Sequence, residues 1–176
     1  MRCYAAVPVE PILTDRLILR EEVPGDLDFL ASMLADTEVM RYWPSTLSRE
    51  ESAAWIERQR GRYARDGCSY WLALRRDTSE PVGQAGVVML EWAGEGPRPA
   101  LGYMIHRPFW RRGYATEAAR ASCEFIWNVL RQPIVWTLIR PENEPSLGVA
   151  RKLGMIAGER VQHYGFEHIV FTLVRG

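Results

Sequence analysis

Gly102-Tyr103-Met104-Ile105-His106-Arg107-Pro108-Phe109-Trp110-Arg111-Arg112-Gly113-Tyr114-Ala115-Thr116-Glu117 is the stretch on which the reading of this chain turns. A strand runs through a short connection into a glycine and then into a helix. A helix start exposes unpaired N–H groups and the positive end of its dipole, and a glycine lets the main chain approach an anion closely. Arg111 and Arg112 add charge-assisted donors, and the small Ala115 and Thr116 keep the first turn open. The stretch therefore reads as a cradle for a diphosphate. It lacks the Gly-Lys-Ser/Thr of a Walker loop and the Gly-x-Gly-x-x-Gly of a dinucleotide fold, so what remains is a phosphate loop with a single glycine.

Outward from this loop, the pattern predicts a mixed sheet covered by helices. Upstream, residues 11–22 read as a first strand through Leu17, Ile18 and Leu19. Pro24-Gly25-Asp26 supplies a turn and N-cap for a short helix with Leu27, Leu30, Met33 and Leu34. Ser48 opens a second helix with Glu51 as capping-box partner; Ala54, Trp55, Tyr63 and Ala64 lie along it, and Gly67 ends it. Three strands, 70–74, 82–90 and 100–106, form an antiparallel meander. Downstream, a long helix from 115 to about 131 carries Ala118, Ala119, Ser122, Ile126 and Val129. An apolar strand follows at 134–139, then a helix over 143–152 stopped by Gly154, and a terminal hairpin of 155–162 with 167–174. The class is α/β, or α+β, in one domain spanning 1–176 with its core at about 11–175.

The bulk properties remove other classes. The 176 residues carry 22 basic and 22 acidic side chains, with 47% hydrophobic and 25% charged residues, which points to neither a nucleic acid nor an anionic membrane surface as partner. The opening Met1-Arg2-Cys3-Tyr4-Ala5-Ala6-Val7-Pro8 has no signal-peptide stretch and no apolar run is long enough to span a bilayer, so a cytoplasmic location is expected. Cys3, Cys68 and Cys123 are widely spaced, odd in number and without a Cys-x-x-Cys pair; they read as reduced thiols, Cys123 packed in a core. His163 and His168 flank the terminal turn without further metal ligands, and they read as surface or pocket residues. His106 ends the strand before the loop, either behind the site or without a role in it.

Two further blocks join the first. Asn143-Glu144-Pro145-Ser146-Leu147-Gly148-Val149-Ala150-Arg151-Lys152-Leu153-Gly154-Met155 and Thr14-Asp15-Arg16-Leu17 with Leu19-Arg20 stand in order around Trp110-Arg111-Arg112-Gly113-Tyr114-Ala115-Thr116-Glu117-Ala118. Together they resemble the GNAT superfamily of N-acetyltransferases, most closely the branch of the ribosomal-protein N-acetyltransferases. That resemblance implies a centrally splayed sheet and acetyl-CoA as acetyl donor, with no metal. It places the pantetheine arm against the strand of Tyr103, Met104 and Ile105, and the pyrophosphate on amides from Arg112 through Gly113, Tyr114 and Ala115 to Thr116, with Arg111 beside them. Asn143 would bond the cofactor arm, cap its own helix, or both. Ser146 would stand beside the sulfur as proton donor, and the Ile105 N–H would polarise the thioester carbonyl.

The acceptor implied is a primary amine, of a protein N-terminus or a small molecule, attacking the thioester directly without an acyl-enzyme. Tyr42 and Trp43, with Pro44, would line its cleft; Tyr164, Trp92 and Phe166 are candidates for the same wall. A carboxylate frequent in this branch is replaced here by Ala100, which leaves Glu91 and Glu95 as the nearest carboxylates in sequence. Gly148, Arg151 and Met155 also depart from the branch's usual residues. A homodimer is compatible with the family. A catalytically silent acyl-CoA-binding module is the competing reading, to which Ser146 as a thiolate donor would be superfluous.

Overall fold

The computed structural model describes residues 10–92 and 96–175, Trp92 by its backbone alone; Met1 to Pro8, Cys3, Glu95 and the Trp92 side chain lie outside what is described. Among the described residues four α-helices pack on one eight-stranded sheet. In chain order the elements are β1 Ile12–Leu13, β2 Leu17–Glu21, α1 Leu27–Leu34, α2 Arg49–Asp66, β3 Tyr70–Arg75, β4 Pro81–Trp92, β5 Gly96–Ile105, α3 Tyr114–Asn128, β6 Ile134–Ile139, α4 Glu144–Leu153, β7 Ile156–His163 and β8 Phe166–Val174. The strands lie side by side as β1-β2-β3-β4-β5-β6-β8-β7. Every neighbouring pair is antiparallel except β5 and β6, which are parallel and meet in register only at Ala100 and Trp136. This is the GNAT-like mixed, centrally splayed sheet that the resemblance implied.

The alternation of strand residues gives the sheet an apolar layer on each face. On one, Leu101 and Ile105 of β5 pack with Ala85, Val87, and Ala118, Ala119 and Ile126 of α3. On the other, Ala100 and Met104 pack with Leu72, Val88, Leu30 and Leu34 of α1, and Trp55 and Ile56 of α2. The buried face of α2 is Ser52, Trp55, Ile56, Gln59 and Tyr63, at helical spacing, whereas Ala54 and Ala64 face outward. Ser48 accepts from Glu51 N at 3.1 Å and Glu51 accepts from Ser48 N at 2.7 Å, a reciprocal cap on the order of 1 kcal/mol. Gly67, at φ 71°, ends the helix in the left-handed conformation.

Four local expectations are corrected. Residues 11–22 are two strands folded on each other, Ile12 opposite Leu19, because Thr14-Asp15-Arg16 makes a turn that is bonded to α3. Asp26 does not cap α1 with its side chain; it accepts from Val23 N at 2.8 Å and pairs with Arg20. The third helix stops at Asn128, where Leu130 N and Gln132 N bond back to Phe125 and Ile126 and Arg131 takes φ 55°, a left-handed stop without glycine. The terminal strands extend to His163 and Phe166. They are joined by Tyr164 (φ 50°) and Gly165 (φ 79°), the two positive angles that a tight two-residue hairpin turn requires. Among the described residues no helix is long and apolar enough to cross a membrane.

Candidate active site

The splay between β5 and β6 opens the site. His106 N donates to Val82 O across to β4 at 2.9 Å, and antiparallel partners alternate in the direction of their main-chain groups. Leu101, Tyr103 and Ile105 therefore turn their N–H and C=O groups away from β4, toward β6. Beyond Ala100 and Trp136, β6 no longer pairs with β5. Side chains take some of these groups: Thr137 Oγ1 donates to Leu101 O at 2.9 Å and Trp110 Nε1 to Ile105 O at 2.6 Å. The Tyr103 and Ile105 N–H groups face a gap that no strand fills.

At one end of this gap stands the start of α3. Gly113 is its N-cap at φ 83°, a conformation that disfavours any side chain, and Arg111 precedes it at φ 60°. The first intrahelical bond runs from Glu117 N to Gly113 O, so the N–H groups of Tyr114, Ala115 and Thr116 have no helical acceptor. Arg111 and Arg112 are exposed, and the Arg112 guanidinium lies 5.4 Å over the Phe109 ring.

The β1–β2 turn holds this helix start in place. Arg16 donates to Arg112 O at 2.9 Å and to Glu117 Oε2 at 2.7 Å, while Thr14 and Arg16 N bond Glu117 Oε1. Burial disfavours the Glu117 charge, but these donors outweigh it and hold its carboxyl below the usual range. An acidic residue in the first turn would repel an anion; the Arg16 pair offsets it. Beside Gly113 and Thr116 an open groove carries Arg120 and Lys152.

At the other end lies a cavity of about 200 Å³, which brings together Tyr42, Trp43, Tyr103, Asn143, Ser146 and Tyr164 of the expected residues. Asn143 Oδ1 accepts from Ser146 N at 3.2 Å, which is the cap geometry, and Tyr103 OH donates to Ser146 O at 3.0 Å. Burial pushes the Tyr103 hydroxyl well above its ordinary pKa, so it remains a proton donor to α4. Pro44, Phe166, His163 and His168 also line the cavity, the two imidazoles edge to face at 5.6 Å. Burial, then the neighbouring His168, lowers the His163 pKa.

Three expected residues stand elsewhere. Glu91 is exposed and absent from the cavity, because its neighbour Leu90 and, two residues before that, Val88 take the strand positions that face inward. Met104 shares the face of Ala100 but is buried in the core with Trp55 and Leu72 rather than lining the cavity, with Gln84 Nε2 3.9 Å from its sulfur. Ile105 buries its side chain under α3, nearer the phosphate loop than the cavity, so only its main chain meets the gap. His106 stacks edge to face on Phe29 at 5.5 Å, outside the cavity. Cys68 and Cys123 are buried free thiols whose pKa burial pushes up to about 12, so neither is a thiolate at neutral pH.

The reading of the sequence missed Trp55, Arg62, Tyr70, Thr137 and Arg140 in the cavity wall. Tyr70 had a signal: a Cβ on Gly102 would collide with its hydroxyl, and a glycine inside a strand marks such a close approach. Burial pushes the Tyr70 hydroxyl up to about 12, which keeps it neutral.

Comparison with known proteins points the same way. Residues 16–156 match the acetyltransferase (GNAT) domain family. An uncharacterized protein of Bacillus subtilis, YkkB, is 32% identical over 145 residues, 82% of this chain and 84% of its own length. A Bacillus subtilis protein described as an uncharacterized N-acetyltransferase, YnaD, is 29% identical over 82% of this chain and 81% of its own. Among solved structures, an acetyltransferase from Agrobacterium tumefaciens superposes with a TM-score of 0.81 at 20% identity, over 95% of each chain. The ribosomal-protein α-N-acetyltransferase RimL, in complex with coenzyme A, superposes at 0.77 and 15% identity, over 94% of this chain and 98% of its own. At such identities the structural likeness is one of fold.

Proposed function

The chain belongs to the GNAT family of acetyltransferases, and from that premise we propose that it moves an acetyl group from acetyl-CoA directly onto a primary amine held in the aromatic cavity. The observation that carries the reading is the continuous path from the α3 N-terminus, along the unpaired edge of β5, to the cavity that holds Ser146. The chemistry of the path fits coenzyme A: free N–H groups and arginines for a diphosphate, a strand edge for the amide-bearing arm, and a small cavity at its end. Acetyl-CoA, as cosubstrate, supplies an activated acetyl thioester.

The residues divide the work along the path. Main-chain N–H groups from Arg112 to Thr116, with Arg111, hold the pyrophosphate, and Arg120 and Lys152 face the phosphorylated nucleoside end. The edge of β5 from Tyr103 to Ile105 orients the arm. The Ile105 N–H, and the Tyr103 N–H closer to the cavity, are the donors for a carbonyl oxygen in the gap. Asn143, while capping α4, holds Ser146 at the helix start, where its hydroxyl gives a proton to the sulfur as the carbon–sulfur bond breaks. Tyr42, Trp43 and Tyr164 enclose the amine, and proximity of both substrates in one cleft supplies much of the rate. With Ala100 in the wall, the amine must arrive largely neutral.

Thiol release from acetyl-CoA, measured against a panel of amines, tests the proposal. Release that requires an amine supports it. Tight CoA binding with no amine-dependent release would instead make the chain a silent acyl-CoA-binding module.

A further inference from the structure

The cavity wall is charged with one sign. Arg62 and Arg140 line it together with His163 and His168, and no aspartate or glutamate stands among the described residues that do. Arg140 is committed elsewhere: its guanidinium is hydrogen-bonded to Glu142 and lies 4.0 Å over the Phe166 ring. Arg62 is not. Its Nη1 donates to the neutral Gln59 Oε1 at 3.1 Å, and it makes no ion pair among the described residues. Gln59 is itself fixed, donating to Trp55 O at 3.0 Å and accepting from Ser69 Oγ at 2.7 Å. A half-buried guanidinium is thus held in place with donors to spare, beside an aromatic wall in which Trp55 stands 5.7 Å from Trp43 and 5.6 Å from Tyr70.

We propose that the acceptor is a compact amine of amino-acid size that carries a carboxylate, bound by Arg62 while its side chain packs on Trp43, Trp55 and Tyr70. This rests on the acetyl-transfer reading above and narrows its acceptor. A polyamine or an amine-rich antibiotic brings further ammonium groups, each needing a carboxylate partner once desolvated, and the wall offers the unpaired Arg62 instead. An anionic group turns the unpaired guanidinium from a cost into a charge-assisted, two-pronged contact. The cavity of about 200 Å³ suits a small molecule of that size.

The test compares L-phenylalanine, phenethylamine and spermidine as acceptors, with kcat/KM expressed per neutral amine. Phenylalanine and phenethylamine share ring and amine and differ in the carboxylate. The expected preference for phenylalanine is about tenfold to a hundredfold, the range of a hydrogen bond to a charged group. Arg62→Gln should bring the ratio toward one, and Arg62→Lys should restore part of it. Equal rates in the wild-type protein, a preference for spermidine, or a ratio unmoved by Arg62→Gln would overturn the proposal.

Calorimetry of the CoA-loaded protein with 3-phenylpropionate separates the two readings. Carboxylate binding that is lost in Arg62→Gln, with no amine acetylated, would uphold the anion site and sink acetyl transfer. Acetylation of all three amines at equal rates would do the reverse. CoA affinity, measured on each variant, reports that the fold is intact.

Discussion

At the phosphate end of the gap the proposed binding groups are main-chain N–H groups of one continuous stretch, 112–116; at the cavity end the wall is made of side chains from the α1–α2 loop, α2, β3, β4, β5, β6, α4 and the β7–β8 turn. The first kind of site tolerates changes of side chain but not of backbone angle. The second tolerates backbone drift in any one element but depends on which side chains are present. One end is therefore suited to an invariant ligand such as a diphosphate, and the other to an acceptor that can differ between relatives with the same fold.

The sharpest break in this contrast is a backbone change at the phosphate end. Gly113 sits at φ 83°, so Gly113→Val forces a β-branched residue into the left-handed region and displaces the N–H groups behind it. CoA affinity by calorimetry should fall by about 3 kcal/mol, more than a hundredfold, while Arg112→Ala costs far less. Unaltered affinity in Gly113→Val would remove the loop from cofactor binding.

At the cavity end, Ala100 presents a methyl group where a proton acceptor would help. A lysine amine of pKa ~10.4 is about one part in a thousand neutral at pH 7.4, against roughly a quarter for an α-amine of pKa ~7.8. Between matched peptides, an α-amino acceptor should be preferred by up to about two orders of magnitude in kcat/KM at that pH, with the gap narrowing as pH rises. Ala100→Glu should speed the ε-amine selectively. A clear ε-amine preference at neutral pH would end the argument from the missing carboxylate.

In the proposed reaction Ser146 links the two ends, since it stands in the cavity and is the proton donor assigned to the cofactor's sulfur. Ser146→Ala should lower kcat by about tenfold to a hundredfold, near the low part of the general-acid range because water can substitute. CoA affinity should hold, since Asn143 caps Ser146 through its main-chain N–H, which the variant keeps. Unchanged turnover in a chemistry-limited assay would take the residue out of the reaction.

The smallest effect lies behind the cavity and concerns stability alone. Glu22 is buried, both its carboxylate oxygens lack a partner, and burial raises its pKa well above 4.5, with Asp26 adding to the rise. A folded-state pKa above the unfolded one means that the native protein holds the proton more tightly. The stabilisation is full below about pH 4.5 and is lost as pH climbs through the folded pKa. Glu22→Gln should flatten that decline and raise stability at neutral pH by on the order of 1–2 kcal/mol, read from urea unfolding at several pH values. A decline of equal slope in both proteins would contradict it.

The same contrast explains what could be read from the chain. Gly113, Ser48 with Glu51, Asn143 and Gly154 act within a turn of themselves, so their chemistry is local and showed through in order and spacing. The strand 134–139 was bounded by its apolar run and appears with those bounds. Arg62 and Trp55 were hidden because a helix pattern tells which face is inward and not what that face meets. Glu91 misled because closeness in sequence says nothing of strand parity, one residue sufficing to turn a side chain to the other face. The clamp of Thr14 and Arg16 on Glu117 joins residues about a hundred apart, and only the folded chain brings them together.

In the proposed reaction the acetyl group passes directly from a thioester at one end to an amine at the other and never rests on the protein. Intact-mass spectrometry of the protein and of the small molecules, after mixing with acetyl-CoA with and without an amine acceptor, tests it most directly. One N-acetylated amine for each CoA released, with an unchanged protein mass throughout, is the expected result. An acetyl group that accumulates on the protein and is removed by the amine, or CoA bound with no amine acetylated, would contradict it.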